Sequence, residues 1–294
     1  MGLIDKYINF FEKNYKLLII IPLLLLFFSF LIIGQNYAKT NSFVQKDVSL
    51  KGGISITIDN TNSQITDSIE NLEKELESEF DYADFSLQEI INPRSVLIHA
   101  ADIEEDKVKK FLENKFGEFE KENYNVKIQS SQFGESFFTD TLIAIIIAFL
   151  FMGIIVFIYF RKFAPSLGVV LSAFSDIIIT VAVINLLEIR LSTAGVAAIL
   201  MIIGYSVDTN ILLSSKILSK SDETFSQKMS YTMNTGLMMT FTTLGALIAG
   251  LLFAKAPELI QIFTILLIGL LTDLIMTWIQ NAAILKYFSE DKNE

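Results

Sequence analysis

The stretch TLIAIIIAFLFMGIIVFIYF, residues 141–160, is an almost unbroken apolar run without a charged side chain. At about 1.5 Å rise per residue, a helix of this length covers the roughly 30 Å hydrocarbon core of a membrane. Apolar residues occupy every side of that helix, so it has no face suited to water. The run therefore predicts a membrane-spanning helix.

Five further apolar runs have similar length and composition. They lie at Leu17–Ile33, Leu167–Leu187, Leu191–Leu213, Thr235–Phe253 and Gln261–Leu285. The sequence thus predicts a membrane α-helical fold with six transmembrane helices, one before and five after a long polar segment. The first run is expected to remain uncleaved, because it is longer than the usual core of a signal peptide and lacks a small-x-small cleavage site.

Charge distinguishes the polar segment from the rest of the chain. Residues 34–140 hold 21 of the 33 acids and 11 of the 23 bases, which accounts for the whole net charge of −10. Elsewhere, ten lysines and arginines fall on one predicted side of the membrane, and only Arg190 and Lys255 fall on the other. Because positive loops stay inside, both termini are expected in the cytoplasm and the polar segment outside it. The charge distribution shows no basic face of the kind that binds nucleic acid.

The polar segment alternates between strand and helix periodicity. Ile54–Ile58 alternates apolar and polar residues, as in a half-buried strand, and Ile65–Phe80 repeats apolar residues at helical spacing. Similar patterns predict two more strands, a second helix and a last strand at Phe85–Ile91, Val96–Ile98, Val108–Phe119 and Val126–Ile128. The order βαββαβ is that of an α+β ferredoxin-like domain. The lone histidine, His99, is expected to be structural or on the surface.

These patterns predict a domain organisation with four parts. Residues 1–34 form a cytoplasmic N-terminus and transmembrane helix 1, and residues 35–138 form the extracytoplasmic ferredoxin-like domain. Residues 139–288 form transmembrane helices 2–6, and residues 289–294 form a cytoplasmic tail.

Three carboxylates lie inside the predicted spans, at Asp176, Asp208 and Asp273. A charge at the centre of a spanning helix costs about 2.5–3.5 kcal/mol, and such residues usually face a bundle interior and mark ion pathways or proton relays. Counting residues from the helix ends places the three at different depths. The alternative is a structural role, in which each protonated carboxyl bonds a neighbouring helix through amides available at Asn185, Asn210, Asn234, Gln280 and Asn281.

Motifs of familiar enzyme classes are missing from the sequence. It has no cysteine, no phosphate-binding Walker loop, no Gly-x-Ser-x-Gly elbow and no His-Glu-x-x-His motif. We therefore expect a protein that is not an enzyme, without a catalytic residue, a metal site or a cofactor. An intramembrane aspartyl protease would use paired aspartates, but the Gly-x-Gly-Asp and Tyr-Asp motifs that such enzymes share are absent.

Several stretches resemble motifs of the SecF family. Gly204-Tyr205-Ser206-Val207-Asp208 resembles its Gly-Tyr-Ser motif, and Ser175–Thr180 (SDIIIT) is similar to its His-Asp-x-x-Ile-Thr stretch. Asp47–Gly53 (DVSLKGG) resembles the motif that opens the outer domain, with the glycine pair Gly52 and Gly53. The layout of one helix, an outer domain and five clustered helices is also similar to that family over essentially the whole chain.

This resemblance implies half of a twelve-helix unit of the resistance–nodulation–division superfamily. Its implied partners are a SecD subunit, the Sec protein-conducting channel, exported polypeptides and membrane lipid. The implied function is assistance to protein export across the cytoplasmic membrane, coupled in bacteria to the proton gradient. The alternative is a transporter half of the same superfamily that moves lipids or small hydrophobic molecules.

The sequence departs from the bacterial pattern at two positions and is more similar to archaeal SecF. Thr209 occupies the place of the bacterial aspartate, with Asp208 one residue earlier, about 100° around the helix. Met238 lies near the place of the bacterial arginine.

Overall fold

The computed structural model describes residues 2–290 apart from 60–68, 81–82, 92–93, 102, 118, 120–122 and 130. The chain begins with α1 (Leu3–Leu18), an amphipathic helix that the sequence analysis did not predict. Its apolar face is buried at Ile8 and Phe11. The first spanning helix, α2 (Ile20–Thr40), follows after one residue and exposes most of its apolar surface, as expected for contact with lipid.

The α/β domain follows α2 and contains a four-stranded sheet. Its elements are α3 (Val48–Lys51), β1 (Gly53–Asp59), α4 (Ile69–Glu79), β2 (Asp84–Ile91), β3 (Arg94–Ala101), α5 (Glu105–Phe116) and β4 (Tyr124–Gln129). The strand order is β2-β3-β1-β4 with antiparallel neighbours, so β3 lies between β1 and β2 as in a split βαβ unit. The predicted order βαββαβ is confirmed, while the expected beginning of its first helix at Ile65 lies outside the described residues.

The core of this domain lies between one face of the sheet and two helices. Ile56 on β1 pairs with Ile98 on β3, and both side chains are fully buried. Leu72 and Leu76 from α4 and Leu112 from α5 pack against them. The apolar residues that alternate along β1 and those that recur at helical spacing on α4 thus pack in one core, as their periodicities predict.

The remaining chain forms the membrane bundle. It contains α6 (Ser131–Phe160), α7 (Phe163–Leu186), α8 (Thr193–Leu218), α9 (Phe225–Phe253), α10 (Pro257–Ile275), a π-helical segment at Met276–Asn281 and α11 (Ala282–Glu290). Within the described residues six helices can span a membrane, with α10 to α11 forming the last one, so the predicted six-span class is confirmed. In the most apolar part of α7 56% of the residues are buried inside the protein, whereas in the corresponding part of α6 only 17% are. Helix α7 is therefore central and α6 peripheral.

The turn between α7 and α8 holds the α/β domain on the bundle. Leu191 donates its backbone N–H to Gln45 O at 2.7 Å, and the N–H of Asp47 donates to Leu191 O at 2.9 Å. The Nη2 of Arg190 donates to Phe85 O in β2 at 2.9 Å. A further ion pair joins Lys127 Nζ on β4 to Glu258 Oε1 at the beginning of α10, at 2.6 Å. The α/β domain is therefore bonded directly to the ends of α7, α8 and α10.

Candidate functional site

The carboxyl group of Asp176 lies near the middle of α7 and is completely buried. The hydroxyl of Ser206 on α8 donates to its Oδ2 at 2.5 Å. Its other oxygen, Oδ1, is buried and accepts no hydrogen bond from any residue that the structure describes. A buried acceptor without a donor is costly, so this oxygen marks a point where a proton would be stabilising.

Asp273 reaches the same place from α10. Thr277 Oγ1 donates to its Oδ1 at 2.9 Å, and Thr209 Oγ1 donates to its Oδ2 at 3.0 Å. The two carboxyl groups are close enough to hydrogen-bond each other when one is protonated. The expected difference in depth is therefore not observed for Asp176 and Asp273, because α10 packs directly against α7. We call these two residues the acid pair.

Hydroxyl groups, rather than the amides considered from sequence, bond the acid pair. Of those amides, Asn185 donates to Phe43 O, and Gln280 donates to Ser175 Oγ. Among the described residues, no lysine or arginine forms an ion pair with either carboxyl group of the pair. Two carboxylates in contact at low dielectric, without a cation, cannot both keep their charge.

A polar stripe leads from the acid pair along α8 towards its C-terminal end. Ser206, Asn210 and Ser214 recur every four residues on this face, and all three are fully buried. Asn210 Nδ2 lies 3.2 Å from Ser206 Oγ, and Asn281 Nδ2 donates to Asn210 Oδ1 at 2.7 Å and approaches Ser214 Oγ at 3.4 Å. Eight residues of helix carry this stripe about 12 Å from the pair.

The opposite direction along α8, towards the α/β domain, is apolar. Ile199 and Ile202 are buried there, and Ile265 of α10 packs in the same cluster. The pair therefore connects through polar side chains to the end of the bundle that carries α1, and is separated by apolar packing from the end that carries the α/β domain.

The π-helical segment Met276–Asn281 brings several polar groups to this site. Its extra residue per turn re-aims the side chains that follow Asp273, so that Thr277, Gln280 and Asn281 all lie inside the bundle and are buried. Such segments often occur at functional sites. The sequence signal was the run of polar residues within an otherwise apolar span, but that run does not reveal a π-helix.

Asp208 does not join the acid pair. It lies on an exposed face of α8 together with Gly204 and with Tyr205, which is 38% exposed. No residue in the described part of the chain bonds its carboxylate. Within the Gly-Tyr-Ser stretch, only Ser206 therefore reaches the pair.

The backbone at the beginning of β1 explains why Gly52 and Gly53 are glycines. Both have positive φ, 86° and 129°. A Cβ at Gly53 would lie 2.3 Å from Ala100 O on the neighbouring strand. Only glycine allows this close approach of two strands.

The described residues contain no group of three or more histidine, cysteine, aspartate or glutamate side chains that could hold a metal ion. The chemistry available at the acid pair is the binding and release of protons or small cations by carboxyl and hydroxyl oxygens. A six-span bundle with buried carboxyl groups and an α/β domain after its first span defines a polytopic membrane protein with a candidate ion pathway.

Comparison with known proteins places the chain in a family. The family model described as "Protein export membrane protein SecD/SecF, C-terminal" matches residues 107–291. The protein-export membrane protein SecF of Methanocaldococcus jannaschii is 38% identical over 94% of this chain and 96% of its own length. SecF of Pyrococcus furiosus is 36% identical over 94% and 92%. The chain belongs to the SecF family of protein-export membrane proteins.

Solved structures show the same fold. The crystal structure of SecDF, a translocon-associated membrane protein from Thermus thermophilus, matches the whole chain with a TM-score of 0.72 at 18% identity. The chain spans only about two-fifths of that protein, 40% of its length. A second structure, SecDF in a super-membrane-facing form, matches 96% of the chain with a TM-score of 0.63.

Proposed function

We propose that the protein is an accessory subunit of the Sec translocase that assists protein export across the cytoplasmic membrane together with a SecD-type subunit. The observation that carries this proposal is the nearly end-to-end similarity to SecF proteins, combined with a buried acid pair at the centre of the bundle. The relatives favour export over the alternative of a lipid or small-molecule transporter.

The orientation follows from charge. Lys6, Lys13 and Lys16 on α1, and Arg161 and Lys162 before α7, lie at the end of the bundle remote from the α/β domain. Positively charged segments remain in the cytoplasm. The termini are then cytoplasmic, the α/β domain is extracytoplasmic, and the polar stripe opens from the acid pair towards the cytoplasm.

The acid pair is the proton-binding element of this proposal. One proton shared between Asp176 and Asp273 satisfies the orphan Oδ1 of Asp176 and removes the repulsion of two adjacent charges. Loss of that proton would raise the net charge of the pair from −1 to −2 beside the hydroxyls of Ser206 and Thr209 and would favour a different packing of α7, α8 and α10. Protonation is therefore the differential interaction that a two-state transport cycle requires.

The turn between α7 and α8 links the pair to the outer domain. Asp176 is on α7 and its donor Ser206 is on α8, so the turn joins the two helices that hold the bonded side chains. Leu191 and Arg190 in this turn bond the domain directly. A shift between the two helices would be transmitted to the domain that faces exported polypeptides.

The exposed face of α8 and α9 is the proposed contact with the SecD-type subunit. Asp208 is exposed at about 15 Å from the end of α8, deep in the span, and a charged group there must face protein or water. The neighbouring α9 exposes Thr242 and the small residues Gly245, Ala246 and Ala249. Both α9 and α6 also expose large apolar side chains, but within residues 141–160 of α6 the exposed small residue is Ala144 alone. Small residues allow the close approach of a second bundle.

The test is proton-gradient-dependent export by the complex reconstituted into vesicles. Asp176→Asn keeps the shape of the side chain but removes the titrating group, so gradient-dependent export should fall at least tenfold while complex assembly persists. Asp140→Asn, an exposed carboxylate at the outer part of α6, is the matched control and should retain export. Gradient stimulation that survives in both Asp176→Asn and Asp273→Asn would refute proton coupling through the pair.

A separate measurement addresses the proposed partner. Asp208→Asn should leave the isolated chain as stable as before, because the carboxylate has no partner within it, but should alter co-purification with the SecD-type subunit. Export that does not require any second subunit would refute the proposed partner, whereas export that is unchanged when this chain is omitted would refute the export proposal itself.

A further inference from the structure

A cavity of about 550 Å³ lies at the end of the bundle remote from the α/β domain. Tyr15, Lys16 and Ile19 line it from the junction of α1 and α2. Ala164 lines it from the first turn of α7, and Ala283 and Tyr287 line it from α11. Its volume is within the range of sites that hold small ligands.

The position of this cavity matches the boundary between membrane and water. Helix α1 is amphipathic and too short to span, whereas α2, which begins one residue later, is a spanning helix. The cavity therefore lies where the chain enters the hydrocarbon layer. Tyr15 and Tyr287 supply the amphipathic rings that favour this depth.

The lining combines an apolar floor with a basic rim. Ile19, Ala164 and Ala283 offer no hydrogen-bonding side chain, whereas Lys16 is exposed at the rim. Arg161 and Lys162 immediately precede the first turn of α7, so two more cations lie within three residues of the lining. An apolar ligand with a negatively charged head is complementary to both parts of this surface.

We propose that the cavity binds a membrane phospholipid, with one acyl chain in the apolar floor and its anionic phosphate headgroup against Lys16. Basic pockets between spanning helices on the cytoplasmic side are recurrent sites for anionic lipid head groups. The ligand would contact three elements at once, namely the α1–α2 junction, α7 and α11. It would therefore add to the packing that already holds α1 against the bundle. This site is independent of the acid pair and of the proposed export function.

The experiment is native mass spectrometry of the full chain, titrated with dioleoyl-phosphatidylglycerol and, in parallel, with dioleoyl-phosphatidylcholine. The wild-type chain should retain one phosphatidylglycerol molecule in preference to phosphatidylcholine. Lys16→Gln should weaken that binding about fivefold, the contribution of one lysine at a membrane surface. Lys13→Gln, on the exposed part of the same helix and outside the cavity, should leave the Kd unchanged.

A second pair of variants tests the cavity itself. Ala164→Phe fills it from a partly exposed position, so the chain should fold but lose the retained lipid. Ala144→Phe adds the same ring to the exposed surface of α6 and should retain it. Equal weakening by Lys16→Gln and Lys13→Gln, equal binding of the two lipids, or unchanged binding by Ala164→Phe would each overturn the proposal. Cross-linking from position 164 to a polypeptide instead of lipid would also overturn it.

Discussion

Replacing Ser206 with alanine is a direct test of how the acid pair is stabilised. The substitution removes the only hydroxyl that bonds Asp176 among the described residues, and that hydroxyl lies 2.5 Å from a fully buried oxygen. Asn210 Nδ2 loses its 3.2 Å contact with the hydroxyl but keeps its bond to the backbone carbonyl of residue 206, at 2.8 Å, so the main loss is at the carboxyl group. Both oxygens of Asp176 would then lack a protein donor.

The expected loss can be worked from these contacts. Leaving a buried acceptor without its partner costs about 1–3 kcal/mol, and a bond to a charged acceptor lies in the upper part of that range. If the shared proton resides on Asp176, its carboxyl group is neutral and the loss should be about 1 kcal/mol. If Asp176 is charged, the loss should be about 2–3 kcal/mol.

The assay is equilibrium unfolding in mixed micelles, followed by helical circular dichroism. Ser215→Ala is the matched control, because Ser215 is on the same helix but bonds only the carbonyl of Leu212 in its own turn. That variant should differ from wild type by less than about 0.5 kcal/mol. Equal stabilities of the two variants would refute the bond between Ser206 and Asp176 as a stabilising contact.

Two further predictions concern packing and pH. In Gly269→Ala the new Cβ would lie 2.3 Å from Ile202 Cδ1, so thermal unfolding should show a loss of stability of about 1–3 kcal/mol. Gly204 has open space around it, so Gly204→Ala should leave stability unchanged or raise it by up to about 1 kcal/mol. Equal effects of the two substitutions would contradict the packing of α8 against α10. Burial lowers the pKa of His99 below 6.5, although Asp47 Oδ1 at 3.1 Å opposes the shift. Because the unfolded chain binds a proton below about pH 6.5 while folded His99 stays neutral, the α/β domain should lose stability on acidification below that pH. Hydrogen exchange in β3 should report this loss, and His99→Gln should abolish it.

The spans were predictable from sequence because apolar runs of sufficient length have few alternatives to a membrane helix. Their ends were not predictable in the same way. Helix α9 begins at Phe225, ten residues before the apolar run that begins at Thr235, and includes the buried Lys228. That lysine is accommodated because its Nζ donates to Ser219 O at 2.6 Å. A hydropathy profile cannot predict this hydrogen bond.

Helix α1 was missed although its signal is present in the sequence. Ile8, Phe11, Tyr15 and Leu18 recur at spacings of three and four and form its buried face. For the segment before the first apolar run, the charge distribution predicts only a cytoplasmic N-terminus. Its packing against α9 and α11 is long-range, as is the bond from the Tyr7 hydroxyl to Trp278 O in the π-helical segment at 3.0 Å. Local sequence patterns do not reveal such contacts.

The site was predictable in residue type but not in arrangement. An aspartate within an apolar span indicates a polar interior regardless of the partner. Which aspartates meet depends on the rotation of each helix and on the π-helical segment, which re-aims Thr277 towards Asp273. Depth counted along straight helices placed Asp176 and Asp273 apart, whereas packing brings them together.

The contrast between the acid pair and Asp208 connects these findings. All three carboxyl groups carry a similar cost of insertion, about 2.5–3.5 kcal/mol when charged at a helix centre. Asp176 and Asp273 offset that cost inside the chain, through three hydroxyl donors and the opportunity to share a proton. Asp208 has no such compensation among the described residues, so its compensation must come from outside the chain. Since lipid offers none, the face that carries Asp208 requires either a protein partner or water, and the second bundle of the proposed complex would supply such a partner.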